Sequence, residues 1–181
     1  MMNPTYNLYD IIEWDISNWS VALGYWNKNT RHDLVSSWIN ALKIGAWHGW
    51  LSLWAASNGI KVLCSDLEYP SKAIEKNRYY NVSHLIEYAA LDALSIPDYN
   101  KFDIVIFKSV LGGIGRQNNR TDQAKAIKEI YKCLREGGEL WFAENLVASP
   151  FHQVLRRRYV KWGNSWRYVT IQEMREFLLL F

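Results

Sequence analysis

The 181-residue chain holds only two cysteines, Cys64 and Cys133, each inside an apolar run and without the paired spacing of a metal site. That excludes a disulfide framework and a zinc ribbon, and it points to buried free thiols in a reducing compartment. No stretch approaches the roughly 18 consecutive apolar residues that a membrane-spanning helix requires, so no stable membrane insertion is expected. The opening residues, MMNPTYNLYDIIEWD, are acidic and lack the apolar centre of a secretory signal. A cytoplasmic location is therefore expected. Blocks of like charge are missing as well. The formal charge of +3 is weakly basic and scattered, which offers no footprint for nucleic acid. Internal repeats and low-complexity tracts are also absent.

What the chain has in quantity is aromatic surface, with ten Trp and eleven Tyr. Such residues fill cores as readily as they line pockets. The length suffices for a single domain with a sizeable core. Residues 1–37 are polar and Trp-rich around WDISNWSVALGYW, where Trp19, Leu23 and Trp26 fall at i, i+4 and i+7 of an amphipathic helix. This segment reads as a helical cap on a domain spanning residues 38–181.

From residue 38 short apolar runs alternate with helical periodicity. WINALKI, GIKVLCSD, LIEYAALD, FDIVIFKSV and GELWFAEN are strand candidates. Helices are expected over 49–58, 71–79 and 121–135, the last with Ile127, Ile130, Tyr131 and Leu134 as its core stripe. Glu136-Gly137-Gly138 stops that helix. Ser149-Pro150 reads as an N-cap with proline at the first helical position, and Thr170-Ile171-Gln172-Glu173 as a capping box before Met174, Phe177 and Leu178. Near-continuous apolar strands alternating with helices imply a Rossmann-like, doubly wound, mostly parallel sheet in three α/β/α layers.

Ligands of such sheets bind beyond the carboxyl ends of the strands. After the first strand comes Gly45-Ala46-Trp47-His48-Gly49, where glycine permits a tight turn and close approach of a ligand to the backbone. Asp66 ends the second strand 21 residues after Gly45, placed to accept hydrogen bonds from both hydroxyls of a ribose. Asp92 ends the third strand, where a carboxylate can bond an adenine amino group or cap a helix. Lys108-Ser109 close the fourth strand before a loop expected to be flexible, with Gly112, Gly113 and Gly115. No G-K-[ST] follows, which argues against a nucleotide triphosphatase. The absence of G-x-G-x-x-G and of a Tyr-x-x-x-Lys pair argues against a nicotinamide-dependent sugar oxidoreductase.

The ordered series of the glycine turn, Asp66, Asp92, FDIVIFKSVLGG and LREGGELWFAEN resembles the class I S-adenosylmethionine-dependent methyltransferases over residues 38–146. Its small-molecule branch is the nearest in character. The resemblance implies S-adenosylmethionine as cofactor and methyl transfer to a small-molecule acceptor, such as a sugar or glycan-precursor hydroxyl. Gly45, Ala46, Trp47 and Gly49 would surround the methionine portion, Asp66 with Leu67 the ribose, and Asp92 with Ala93 the adenine. Lys108 and Ser109 would lie near the methyl group. Glu144 and His152 are the candidate general bases for a hydroxyl acceptor, with a solvated helix position as the other reading of His152.

Three features depart from the family pattern. Lys43 stands two residues before the first glycine, where the family places Glu or Asp against the cofactor ammonium. Trp47 replaces the middle glycine and must turn its indole outward. The family's last two strands have no counterpart, so an exposed edge open to a partner or to self-association is expected. These departures suggest a second function, a catalytically inactive binding or assembly subunit on the same fold. RRRYVKWGNSWRY, residues 156–168, mixes cations and aromatics and would receive a phosphate or carboxylate on an acceptor, touch an anionic membrane surface, or form a solvated face with Trp162 and Trp166 packed inward.

Overall fold

Branched and aromatic residues in unbroken succession favour strands buried on both faces, and the chain uses them so. A computed structural model describes residues 16–29, 39–160 and 162–181. In chain order the elements are α1 (Ile16–Asn29), β1 (Asn40–Ile44), α2 (Trp50–Ser57), β2 (Lys61–Asp66), α3 (Ser71–Asn77), β3 (Ile86–Ala90) and β4 (Phe102–Lys108). Then follow α4 (Leu111–Ile114), α5 (Arg120–Cys133), β5 (Leu134–Ala143), α6 (Pro150–Tyr159) and α7 (Ile171–Phe177). All five expected strands are present. The boundary expected between residues 37 and 38 falls outside the described residues.

The strands form one parallel sheet in the order β3-β2-β1-β4-β5. Successive side chains point to opposite faces, so each strand feeds two cores. Leu42, Ile44, Val105 and Phe107 pack with Ile127 and Ile130 of α5 and with Met174 and Phe177 of α7. Ala41, Val62, Ile104 and Ile106 pack on the other side with Leu51 and Trp54 of α2 and with Trp19, Leu23 and Trp26 of α1. Trp26, Trp54 and Trp141 form a tilted aromatic row with centroid separations of 5.7 and 6.0 Å. The result is the doubly wound, three-layer architecture.

Local chemistry starts two helices where expected. Ser149 caps α6 by accepting the His152 N–H, and Thr170 and Glu173 complete a reciprocal capping box on α7. Four expectations need correction, the first being that Glu136-Gly137-Gly138 stops α5: the helix ends at Cys133 and these three residues lie inside β5. Tyr131 is not part of the core stripe of α5: it is exposed, its ring meeting Phe181 edge-on at 5.3 Å. Leu134 is buried, but as the first residue of β5 rather than in the helix. The diglycine segment is a helical turn rather than an irregular loop. Gly112 and Gly113 lie in the single turn α4, with Trp166 packed so closely that a Cβ on Gly112 would stand 2.6 Å from its ring. Among the described residues no helix is long and apolar enough to cross a membrane.

Candidate functional site

Strand order reverses direction between β1 and β4, and the crevice of such a sheet opens at that point. The turn after β1 is built on left-handed backbone, with φ of 73° at Gly45, 49° at Trp47 and 83° at Gly49. Gly49 N–H closes the turn on the Ala46 carbonyl at 2.6 Å. A Cβ on Gly45 would stand 2.7 Å from Val110 Cγ2, so the loops after β1 and β4 touch across the switch point. Trp47 is 67% exposed, its indole turned out as the turn demands.

Asp66 binds this turn to the end of β2. One carboxylate oxygen accepts the Trp47 N–H at 3.1 Å and the other the Leu67 N–H at 2.8 Å. A carboxylate has about four acceptor positions, so both oxygens keep capacity toward the crevice. Leu67 is 70% exposed beside it. Asp92, also exposed, accepts the Leu94 N–H at 2.9 Å, which is its local capping role, while Ala93 is buried.

Lys43 is buried in the sheet yet reaches the strand end. Its ammonium donates to the Ile44 carbonyl at 2.9 Å and to the Gly45 carbonyl. Its own carbonyl accepts the Ser65 hydroxyl at 2.9 Å. The cation therefore has a local function: it gathers the carbonyls of Ile44 and Gly45 at the start of the left-handed turn.

The carboxyl ends of β4 and β5 form the other wall. Lys108 holds its ammonium 4.9 Å from the Trp19 ring centroid, and Ser109, at φ 53°, accepts the Asn145 side-chain N–H at 2.9 Å. Glu144 accepts the Val110 and Leu111 N–H groups at 2.8 Å on one oxygen and the Asn145 N–H at 2.9 Å on the other. Burial pushes this carboxyl up to about 7, against the opposing pull of its three N–H donors. Glu144 and Asn145 line a cleft of about 1210 Å³ that runs along β5 between α1 and the C-terminal residues. His152 is exposed, bonds Ser149 Oγ through Nδ1 at 2.9 Å, and is not among the cleft-lining residues. The two candidate bases are thus separated, with Glu144 alone brought to the cleft.

The Glu144 shift sets a pH dependence. A carboxyl near 7 in the fold and about 4.3 when unfolded binds its proton more tightly in the native state between those values. Its contribution is full below about pH 4 and is lost as pH rises toward 7. The unfolding free energy of the wild type minus that of Glu144→Gln, from urea titrations, falls over this window and levels off above it. A difference that stays constant from pH 4 to pH 8, roughly the span of both pKa values, contradicts the shift.

Sequence reasoning did not find Trp166 over the diglycine turn, the Asn145–Ser109 bond or the contacts of Arg156. The Gly112-Gly113 pair was the available signal, since adjacent glycines in a folded loop invite a flat neighbour.

The methyltransferase domain family matches residues 42–142, the span of β1 through β5. Among solved structures, the YcgJ protein from Bacillus subtilis aligns with a TM-score of 0.68 at 15% identity, covering 87% of this chain and 66% of that one. A SAM-dependent methyltransferase from Methanosarcina mazei aligns at 0.63 and 20% identity, covering 81% of this chain and 80% of that one. The 4+2 cyclase SpnF aligns at 0.62 and 22% identity, covering 81% and 53%. At such identities the likeness carries the fold. The chain spans between about half and two thirds of the length of the first of these neighbours. No curated protein matches the sequence.

Proposed function

The chain belongs to the methyltransferase domain family, and from that premise we propose that it transfers a methyl group from S-adenosylmethionine to a hydroxyl of a small acceptor of sugar or glycan-precursor type. The observation that supports this reading is that the left-handed turn 45–49 bonds Asp66 and packs on Val110, whose N–H is held by Glu144, so the ends of β1, β2, β4 and β5 are linked.

The residues fit the cofactor. Gly45 and Gly49 carry the turn through left-handed backbone, Asp66 keeps acceptor capacity for a ribose, and Leu67 offers an exposed apolar side chain beside it. Ala46 and Trp47 would flank the methionine portion, and Asp92 and Ala93 would face the adenine. When bound, the cofactor supplies an electrophilic methyl on a sulfonium. The chain's part is to orient and to remove a proton. Ser109 and Asn145 are placed to bond an acceptor hydroxyl. Glu144 uses three of its acceptor positions on backbone N–H groups, leaving the remaining one for the hydroxyl proton, and a carboxyl near 7 suits a general base at neutral pH.

Lys43 bears on the competing reading, an inactive binding subunit, because it replaces the acid that would face the cofactor ammonium. Fold alone does not decide chemistry, and the cyclase among the neighbours shows it. Calorimetric titration with S-adenosylmethionine and with its demethylated product is expected to give saturable heat. Its absence at millimolar ligand, with the protein folded by circular dichroism, removes the enzyme reading. Lys43→Gln keeps a donor for the Ile44 and Gly45 carbonyls and drops the charge, so it is expected to bind the cofactor more tightly. Lys43→Glu is the poorer variant, since its carboxylate would face those carbonyls.

A further inference from the structure

Beyond β5 the chain runs beside the segment before α7. Leu146 bridges Val169 in parallel, and Val147 N–H donates to the Val169 carbonyl at 2.9 Å. Across this pair lies Arg156, on the second turn of α6. Its Nη1 donates to the Leu146 carbonyl at 2.7 Å, and its guanidinium carbon stands 4.6 Å from the Tyr168 ring centroid. Main chain on one side and an aromatic face on the other hold the group in place. Its neighbours Arg157 and Arg158 are exposed, and Arg156 alone of the three lines the β5 cleft.

A guanidinium has five N–H donors in a rigid fork, and among the described residues the Leu146 carbonyl is its sole hydrogen-bond acceptor. The acidic groups of the cleft do not answer it. The Glu144 carboxylate is engaged by the N–H groups of Val110, Leu111 and Asn145, and Glu139 accepts the Trp141 indole N–H at 2.7 Å. A pre-oriented cation thus faces the same cleft as Glu144 and Asn145. Arginine forks match planar carboxylates in a bidentate way. With two carboxylates already on the cleft wall, a singly charged partner meets less repulsion than a doubly charged phosphate.

We propose that Arg156, stacked on Tyr168, binds a carboxylate of the acceptor, so that the acceptor class is a hydroxy acid or sugar acid. This rests on the acceptor side of the methyl-transfer reading, but the subsite is readable without the cofactor. Arg156 is a specificity-determining residue, and the hydroxyl to be methylated lies beside Glu144 in the same cleft.

The test follows the Arg156 Nε–Hε resonance by NMR, assigned by its loss in Arg156→Lys, while acetate, inorganic phosphate or chloride is added at matched ionic strength. Acetate is expected to shift it saturably, phosphate less strongly, and chloride only as it shifts Arg157 and Arg158. Tyr168→Leu keeps the cation and removes its platform, and is expected to weaken acetate binding about tenfold, the loss of one well-oriented charge-assisted contact. A resonance that responds to acetate no more than to chloride overturns the subsite. Tighter binding of phosphate overturns the carboxylate assignment. Acetate binding in a protein that gives no heat with S-adenosylmethionine leaves the subsite standing and removes the methyl-transfer reading. Heat with the cofactor but no acetate response does the reverse.

Discussion

Gly49→Val is expected to lower the unfolding free energy by about 3–5 kcal/mol, enough to unfold much of a domain of ordinary stability. Two costs combine at this position. Gly49 has φ 83°, a left-handed backbone that a β-branched residue adopts at a cost of about 1–3 kcal/mol. Its Cβ would also stand 2.7 Å from Ala73 Cβ and 2.6 Å from Asn77 Nδ2, both on the buried face of α3. Helix α3 is itself packed on the sheet, so it cannot withdraw without opening the core around Ala56, Cys64 and Ile86. Gly59→Val separates the two costs. Gly59 has nearly the same φ, 82°, with nothing within 4 Å of its would-be Cβ. Urea titration of both variants should show Gly59→Val losing only the backbone share. Equal losses would mean that the crowding at α3 relaxes at no cost.

Asp66→Ala is expected to weaken S-adenosylmethionine binding by about 100-fold or more, the value of two charge-assisted hydrogen bonds to a ribose. The same change strips the Trp47 and Leu67 N–H groups of their acceptor, so the turn is loosened as well as unliganded. Asp66→Asn keeps one acceptor oxygen and turns the other into a donor, and should lie between the two. Calorimetry reads the affinity, and a thermal melt reads how much of the loss belongs to the fold. Unchanged affinity in Asp66→Ala, with the protein folded, would remove Asp66 from the cofactor site.

Much of this architecture is legible in the sequence because it is local. An apolar run bounded by turn residues makes a buried strand wherever it occurs, and Ser149 and Thr170 announce their helices through hydrogen bonds spanning three residues. The candidate residues at strand ends are reached through topology, which puts Asp66, Lys108 and Glu144 at or just past the carboxyl ends of their strands. What stayed hidden depends on contacts between distant segments. A lysine at position 43 reads as a charge to be accommodated. Only the fold shows that its ammonium turns back onto the Ile44 and Gly45 carbonyls. Gly112 and Gly113 look loose until Trp166, far along the chain, is laid against them. Tyr131 satisfies the helical period of α5, yet its ring lies on the exposed side of the last turn against Phe181, while Ile130 and Cys133 of that turn face the core.

Val110 belongs to both walls of the crevice. Its side chain fills the space that a Cβ on Gly45 would need, and its N–H is held by Glu144. A ligand that displaces the turn after β1 therefore works against the same residue that positions the acceptor side. Thermodynamic linkage makes such a coupling reciprocal: whatever free energy one ligand spends or recovers at Val110 alters the affinity of the other by the same factor. The size of that coupling then becomes a property of one valine, measurable as the change in either ligand's affinity when the other is saturating.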